Sequence, residues 1–492
     1  MNPENTIDAL IIGAGPAGTC AALRLLSLGH RVALIESEPF PRPQIGESLS
    51  PGIWNIFQYL QAEHLLTKQN YLHQLPARVI WETTNANIIS PVSRGTGIMA
   101  DRALLDKDLL ELAVQRGLRL FQPARFESCN KIADHWEVQV RQLQSSFTII
   151  TTFILDARGR RGNQLADRVL TAPPAVALWS YIPAAGMPRE TLVEATENGW
   201  LWGSPMPNDQ FRILSFVDPE AVKNRQAGPV FNDMVASGKL FRQTLSGGEL
   251  PQISSCLVFT YAHMQPWHNR YIRLGEAAFS LDPLSSTGVE KAMRFSLQAV
   301  IAVNTLLKSN EEPVAQAFYE DRMVESVVNH TNWTSRYYAQ AWPGVQHPFW
   351  KERSVPFIES KNTATPFYQQ LSNRFKNMTQ PEPIATRPAT NAHQEIRRIW
   401  HEKMQLSPAV TFLETTCVVA DMLQTKTAIR HPNLDREVAY LENVELSPLL
   451  GQIFSPVAFG DIVQEWSKSI SFEQAVRTAF FLWEKEIICQ AV

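Results

Sequence analysis

The chain has 492 residues, with 45 Lys and Arg against 48 Asp and Glu and a formal net charge of −3. That length exceeds one ordinary core and calls for two or three domains, and the near-balance of charge leaves no global field to draw nucleic acid or an anionic membrane. Hydrophobic residues make up 45% and charged residues 19%, close to globular averages, which excludes extensive disorder. Cys20, Cys129, Cys256, Cys417 and Cys489 are scattered without a CxxC pair. A disulfide framework or a metal site is therefore not expected, and a reducing cytoplasm is. No basic region precedes the first apolar run, and no apolar run is long enough to span a bilayer.

Residues 7–12 (IDALII) read as a buried parallel strand, 17–29 as a helix ending near Gly29, and 31–36 (RVALIE) as a second strand. This order is the βαβ unit of a doubly wound sheet. GAGPAG sits at its turn. Gly13 permits the tight turn, Gly15 lets backbone approach a pyrophosphate, and Gly18 lets helix and strand pack closely. The helix N-terminus then offers free N–H groups to phosphate. Glu36, ending the second strand, suits the ribose hydroxyls and disfavours a 2′-phosphate. Further along, 103–117 has helical spacing, 148–159 reads as paired strands ending in a loop, and 171–261 is sheet-rich. Residues 289–308 and 313–342 read as helices. TQPEPIATRPATNA (379–392) reads as a linker. Beyond it the pattern is mainly helical, with short strands near 427–431 and 436–441 and then three helices, two of them capped by Ser455 and Ser471.

The first motif alone leaves FAD and NAD open. GEAAFSLDPLSSTGVEKA (275–292) resembles the second FAD motif of the hydroxylase and halogenase flavoproteins, and LDARGRRG (155–162) resembles their third, through Asp156 and Gly159. The resemblance implies FAD as cofactor and a helix N-terminus facing its isoalloxazine. It implies Arg102 as the arginine opening a helix near FAD. It implies Glu276, in place of the usual Asp, or Asp282 as the ribityl partner. PRPQIGESLSPG (41–52) resembles the PR-x-x-IGESL segment of the flavin-dependent halogenase superfamily, bringing in Arg42 and Ser48. WLWGSP (200–205) resembles its W-x-W-x-I-P element with Ser204 for Ile. Phe279, Pro283, Ser285 and Gly288 fit its F-x-x-x-P-x-S-x-x-G. The resemblance spans roughly residues 5–360.

Two departures stand out. The family's lysine, which handles hypohalous acid, lies shortly before a strand tryptophan, here Trp81. No lysine occurs between Lys68 and Lys107; Gln74 and Arg78 lie nearby, and an arginine stays protonated and forms no comparable haloamine. The glutamate of the indole halogenases is replaced by Ser285. The resemblance thus implies an FAD-dependent monooxygenase hydroxylating an indole or phenol ring through a peroxyflavin. A halogenase of a small aromatic and a reductase or dehydrogenase are the alternatives. NAD(P)H or a separate flavin reductase would supply electrons.

Trp81, Trp200, Trp202, Trp333 and Tyr337 are the substrate-pocket candidates, with core packing as the alternative for each. Glu47 and Ser285 are the acid–base candidates; Glu47's other role would be to order the flavin loop. His263, His268, His330 and His347 have no diagnostic neighbour. The C-terminal order is similar to small winged-helix domains that bind leader peptides. That similarity implies a tryptophan in a peptide or protein as substrate, as in the halogenase-like monooxygenases of tryptophylquinone biogenesis; a lid or dimerisation module is the alternative. The expected fold class is α/β. A Rossmann-like FAD domain (about 1–75, 98–170 and 262–310) interleaves with a sheet-rich substrate domain (about 76–97, 171–261 and 311–378). The linker and a helical or winged-helix-like module over 393–492 follow.

Overall fold

The computed structural model describes residues 7–95, 97–162, 165–223, 225–245, 252–309, 311–344, 346–377, 392–434 and 436–491. The linker expected at 379–392 therefore lies, but for Ala392, outside the described residues. Two compact units contain them, Met1–Asn377 and Met378–Val492.

In the first unit, strand Ile7–Ile12 pairs in parallel with Val32–Ile35 on one side and with Ser145–Asp156 on the other. Helix Pro16–Ser27 makes the crossover. Leu10, Ile11 and all of Val32–Ile35 are buried, as a parallel sheet covered on both faces requires. Helix Arg102–Gln115, capped by the Asp101 carboxylate, leads to Arg119–Phe121, which extends the same sheet in parallel. The paired strands expected over 148–159 are instead one continuous strand, Ser145–Asp156. Its first part pairs antiparallel with His135–Gln142 and its last part parallel with Ile7–Ile12. Because it changes neighbours without breaking, its sequence carries no turn signal at the change.

A second, seven-stranded sheet is built from residues 175–258 with Ala77–Ile80 and Asn87–Ile89 on one edge. Alternation gives it two distinct faces. Leu178, Leu192, Leu201 and Ile213 cover helix Ala227–Ser237. Trp81, Trp200 and Phe216 pack against Tyr338 of helix Glu312–Ala339 and against Phe349 and Trp350. The indole nitrogens of Trp81, Trp342 and Trp350 donate to the Tyr337, Ala195 and Thr196 carbonyls at 2.8, 2.7 and 3.0 Å, so the burial of Trp81 and Trp350 leaves neither indole donor unpaired.

The second unit holds more strand than its sequence pattern suggests. Lys403–Leu406 lies between Val457–Ala458 and Ile488–Gln490, and Thr411–Val419 pairs with Met422–Arg430 as a hairpin. The expected strand at 427–431 is the end of that hairpin, and of 436–441 only Tyr440–Leu441 is strand. The hairpin turn uses Ala420 and Asp421, both at positive φ (48° and 62°), without the glycine that normally marks such a turn. The helix expected after Ser455 begins at Phe459, with Ala458 at the N-cap, because Val457 and Ala458 are engaged with strand Lys403–Leu406. Ser471 does cap its helix, through a reciprocal bond pattern with Gln474. Trp466 is fully buried and donates to the Leu449 carbonyl at 3.1 Å. Trp466→Ala should destabilise this unit by roughly 3–5 kcal/mol, read by hydrogen exchange as faster opening of helices Phe459–Trp466 and Phe472–Glu484.

Candidate functional site

The turn after the first strand is shaped by two contacts and one open space. A Cβ at Gly18 would lie 2.0 Å from the Gly13 carbonyl oxygen, and one at Gly13, where φ is +104°, would lie 2.5 Å from that of Ala157. Both glycines are required by the protein's own packing. A Cβ at Gly15 would meet nothing within 4 Å. Gly15 is the N-cap of helix Pro16–Ser27, and no side chain caps it, so the first N–H groups face an unfilled space beside a backbone that can be closely approached. The same pattern recurs at Gly288, which opens helix Gly288–Leu306 without a side-chain cap and with open space at its Cβ. Turn Gly275–Ala277 joins the two: a Cβ at Gly275 would touch Ala17 at 3.0 Å and Ala292 at 3.4 Å. Residues from GAGPAG, GEAA and STGVEKA thus converge on one place. Two uncapped helix starts over glycine floors fit a dinucleotide bearing a pyrophosphate.

Around this cradle the acidic residues are engaged. Glu36 is buried and accepts from the Ala14 N–H at 2.8 Å and the Glu38 N–H at 2.9 Å, with Arg42 at 3.7 Å. Arg102 grips Asp106 through two bonds of 2.9 Å and donates to the Ile45 carbonyl at 2.9 Å, fastening the IGES loop. Ser48 lies in that loop's short strand, opposite Met99. Asp156 would be raised by burial, but Arg158, Tyr271 and Arg273 hold its carboxyl below the usual range. Glu276 is half-exposed and pairs with Arg160 at 3.0 Å. Asp282 is buried, with no cation in bonding range among the described residues; burial raises its carboxyl, which accepts from the Leu284 N–H at 2.9 Å and the Tyr338 hydroxyl at 3.2 Å. The Ser285 hydroxyl lies 2.8 Å from that of Thr287.

Glu47 links this cradle to the second sheet. Its carboxylate accepts from the Gly46 N–H at 2.8 Å, the Tyr181 hydroxyl at 3.2 Å and the buried Arg212 guanidinium at 2.5 Å. Tyr181 and Arg212 are register partners on that sheet. The next row on the same face is apolar and in register across five strands: Trp179, Leu214, Trp202, Val193 and Val79. Each of these side chains is half-buried, while the row beyond, Ala177, Phe216, Trp200 and Ala195, is buried under Tyr338 and Trp350. Four inter-strand spacings make the strip roughly 19 Å long. One flank carries Glu47 with Arg212, and the other carries Tyr338, which bonds Asp282.

The sequence candidates therefore separate. Trp81 and Trp200 sit within the buried aromatic cluster, edge-on at 6.3 Å, and Trp202 lies in the half-buried strip. Trp333 and Tyr337 are 40% exposed, and their rings meet at 4.4 Å with a 41° tilt on the exposed side of their helix. Arg78 pairs with Glu190 at 2.8 Å and is in register with Leu192, a residue of the opposite face. Sequence reading missed Trp179, Tyr181 and Arg212. The one available signal was Arg212, a charge at an inward position of the apolar strand Gln210–Val217. Of the four histidines, His263 and His330 are buried, each with an Nε2 that has no partner among the described residues. Burial pushes them down, to about 3 and about 4.

A family model described as tryptophan halogenase matches residues 8–98 and 95–404. A tryptophan 2-halogenase of Chondromyces crocatus is 27% identical over 346 residues, 65% of each chain, so the match spans just under two thirds of that relative. Among solved structures, the flavin-dependent halogenase CmlS superposes with a TM-score of 0.75 at 20% identity, covering 98% of this chain and 96% of that one. The peptidyl tryptophan dihydroxylase QhpG, essential for tryptophylquinone cofactor biogenesis, superposes at 0.71 and 19%, covering 98% and 99%. Both likenesses establish the fold.

Two outcomes follow from this geometry. Gly15→Val should fold with a near-normal melting temperature yet lose the flavin absorbance of the purified protein. Gly18→Ala should instead lower the melting temperature itself, because its Cβ has no room. The two buried histidines contribute to the acid limb of stability. Both folded values lie below the ordinary 6.5, so the unfolded chain binds more protons and stability is lost as pH falls from about 6.5 toward 3–4. Each contributes a slope of up to about 1.4 kcal/mol per pH unit. Urea midpoints measured across that window should fall less steeply in His263→Gln and in His330→Gln than in the wild type.

Proposed function

The chain belongs to the tryptophan halogenase family of flavin-dependent oxidative enzymes, and from that premise we propose that it is an FAD-dependent monooxygenase hydroxylating an indole or phenol ring, the ring being a tryptophan side chain of a peptide or protein. Bound and reduced, FAD supplies the electrons with which O₂ is split, one oxygen atom entering the ring and the other leaving as water. The chain's own residues bind and orient. Gly13, Gly15 and Gly18 form the pyrophosphate floor, Glu36 and Arg42 take the adenosine end, and Gly288 opens the helix facing the isoalloxazine. Glu276 or Asp282 takes the ribityl chain. Arg102 and Glu47 hold the IGES loop that carries Ser48, and Asp156 acts through the arginines it binds. Trp179 and Trp202 give the ring an apolar floor that excludes water. Electrons come from a flavin reductase or from NAD(P)H.

The observation that carries this reading is the composition of the half-buried strip. It offers aromatic and aliphatic surface for a flat ring, and no amine. Arg78, the nearest cation in sequence to the place of the family lysine, is bound to Glu190 on the other face. The second reading, halogenation of an aromatic, draws on the family model and on the activities named for the halogenase relatives. A reductase or dehydrogenase is the third.

Mass spectrometry of products separates these readings. The purified protein, supplied with reduced FAD in air, is given tryptophan-containing peptides and small indoles and phenols, with and without bromide. Addition of oxygen mass regardless of halide is expected, reduced at least tenfold in Trp202→Ala with FAD content unchanged. A bromine isotope pattern would replace hydroxylation with halogenation, and substrate reduction without oxygen incorporation would favour the reductase.

A further inference from the structure

Arg212 is buried, at 3% exposure, yet it uses little of its hydrogen-bonding capacity. A guanidinium presents five N–H donors in a planar fork. Among the described residues only Nη1 finds an acceptor, the Glu47 carboxylate at 2.5 Å. Nε is covered and has no partner there. Buried polar groups are as a rule hydrogen-bonded, because an unmet donor loses its water without replacement. The other neighbours of this guanidinium are rings, with Cζ 5.6 Å from the centroid of Trp179 and 5.4 Å from that of Tyr181.

Register places Arg212 at the edge of the half-buried strip. Tyr181, Arg212 and Ser204 are aligned across three strands, and the Ser204 hydroxyl lies 3.2 Å from that of Thr191. This polar row runs two residues, or about 7 Å, along the strands from the row of Trp179, Leu214 and Trp202. Ser204 stands where the W-x-W-x-I-P element has isoleucine, so the row is polar at a position the motif makes apolar. Glu47 decides what can meet the spare donors. Its carboxylate already balances the guanidinium, so a second anion would bring an uncompensated charge into a buried place, whereas a neutral carbonyl oxygen would not. A ring lying on Trp179 and Trp202 must carry that oxygen across about 7 Å, the reach of a three-carbon arm ending in a carbonyl. Such an arm joins the ring of an aromatic residue to its own main-chain carbonyl.

We propose that Arg212 is a specificity-determining residue, donating to the main-chain carbonyl of an amide-linked aromatic residue whose ring lies on Trp179 and Trp202. The inference rests on the hydroxylase reading above and deepens it, since it selects a residue within a polypeptide over a free aromatic acid. Binding is measured without turnover, which keeps the two apart. Oxygen incorporation into peptides without the binding preference described next would sink the subsite and leave the reaction. That preference without oxygen incorporation would sink the reaction and leave the subsite.

The test is calorimetric titration of the full chain carrying oxidised FAD, with no reductant present. Three probes are compared: indole-3-propionamide with a neutral carbonyl, indole-3-propionate with a carboxylate on the same arm, and 3-methylindole with no acceptor. The amide is expected to bind at least tenfold tighter than either of the others. Its preference over 3-methylindole should fall at least tenfold in Arg212→Lys, which keeps a charge opposite Glu47 but lacks the planar fork. The double variant Glu47→Leu with Arg212→Met removes both charges together, so that none is left buried and unpaired, and should lose the preference likewise. Titrations are compared at equal flavin content. Equal affinity for the amide and 3-methylindole, a preference that survives both variants, or no saturation by any probe up to about 1 mM would each overturn the proposal. Tighter binding of the carboxylate than of the amide would assign the place to a free aromatic acid and likewise overturn it.

Discussion

The first unit depends on one close approach, that of the chain at Gly18 to the carbonyl of Gly13, where a Cβ would have 2.0 Å. Closing that distance sets helix Pro16–Ser27 against the strand it follows and aims its N-terminus at the space beside Gly15. The position of that helix in turn locates turn Gly275–Ala277, which rests on Ala17, and through Ala292 it locates helix Gly288–Leu306. The first turn and two segments more than 250 residues further along the chain are thereby brought to one cradle. Gly15 and Gly288 differ from Gly13 and Gly18: among the described residues a Cβ at either would meet nothing within 4 Å, which leaves both helix starts open to close approach.

The cradle would be of little use if the second sheet could shift against it. Arg102 and Glu47 oppose that shift. Arg102, held by Asp106, anchors the carbonyls of the IGES loop, and the next residue along, Glu47, enters the second sheet to meet Arg212 and Tyr181. A buried ion pair adds little net stability over an apolar replacement, because both charges are desolvated, but losing one partner costs about 3–5 kcal/mol. Such a pair is poor glue and a strict register mark. It fixes which row of the sheet lies under the flavin loop, and the row beside Arg212 and Tyr181 is the half-buried strip.

What was legible in the sequence was local. GAGPAG, Glu36 and the IGES and GEAAFSLDP segments are short, and their geometry is dictated by neighbours within a few residues, so reading them singled out segments that lie at or beside the cradle. The half-buried strip is a matter of register. Trp179, Leu214, Trp202, Val193 and Val79 form a row only because four strand pairings align them, and no window of the sequence contains that alignment. Trp200 and Trp202 share a face, yet one is buried under Trp350 and the other is half-open; the difference comes from helix Glu312–Ala339 and the segment after it. In the second unit, Ala420 and Asp421 turn the chain without glycine, so the hairpin they close left no mark beyond its final strand.

The strip also bears on which oxidation the site can complete. A halogen carrier must be an amine that reaches the ring. In strand Ala77–Ile80 and the residue after it, the positions facing the strip side are Ala77, Val79 and Trp81, and none carries nitrogen able to hold a halogen. Arg78 is turned to the other face, so a rotamer change cannot bring it round; a register slip of one residue would be needed, which would move Trp81 out of its buried cluster. Lys291 follows Gly288 by three residues, and burial lowers its ammonium below the usual range. It lies in the first turn of helix Gly288–Leu306 among Glu290, Arg294 and Glu325, on the side of the neighbouring helix. Oxygen transfer makes no demand for such a carrier. It asks for a dry floor, a held ring and a fixed cofactor, and the residues of the strip, of the Glu47–Arg212 pair and of the two glycine-opened helices are of the types those three tasks need.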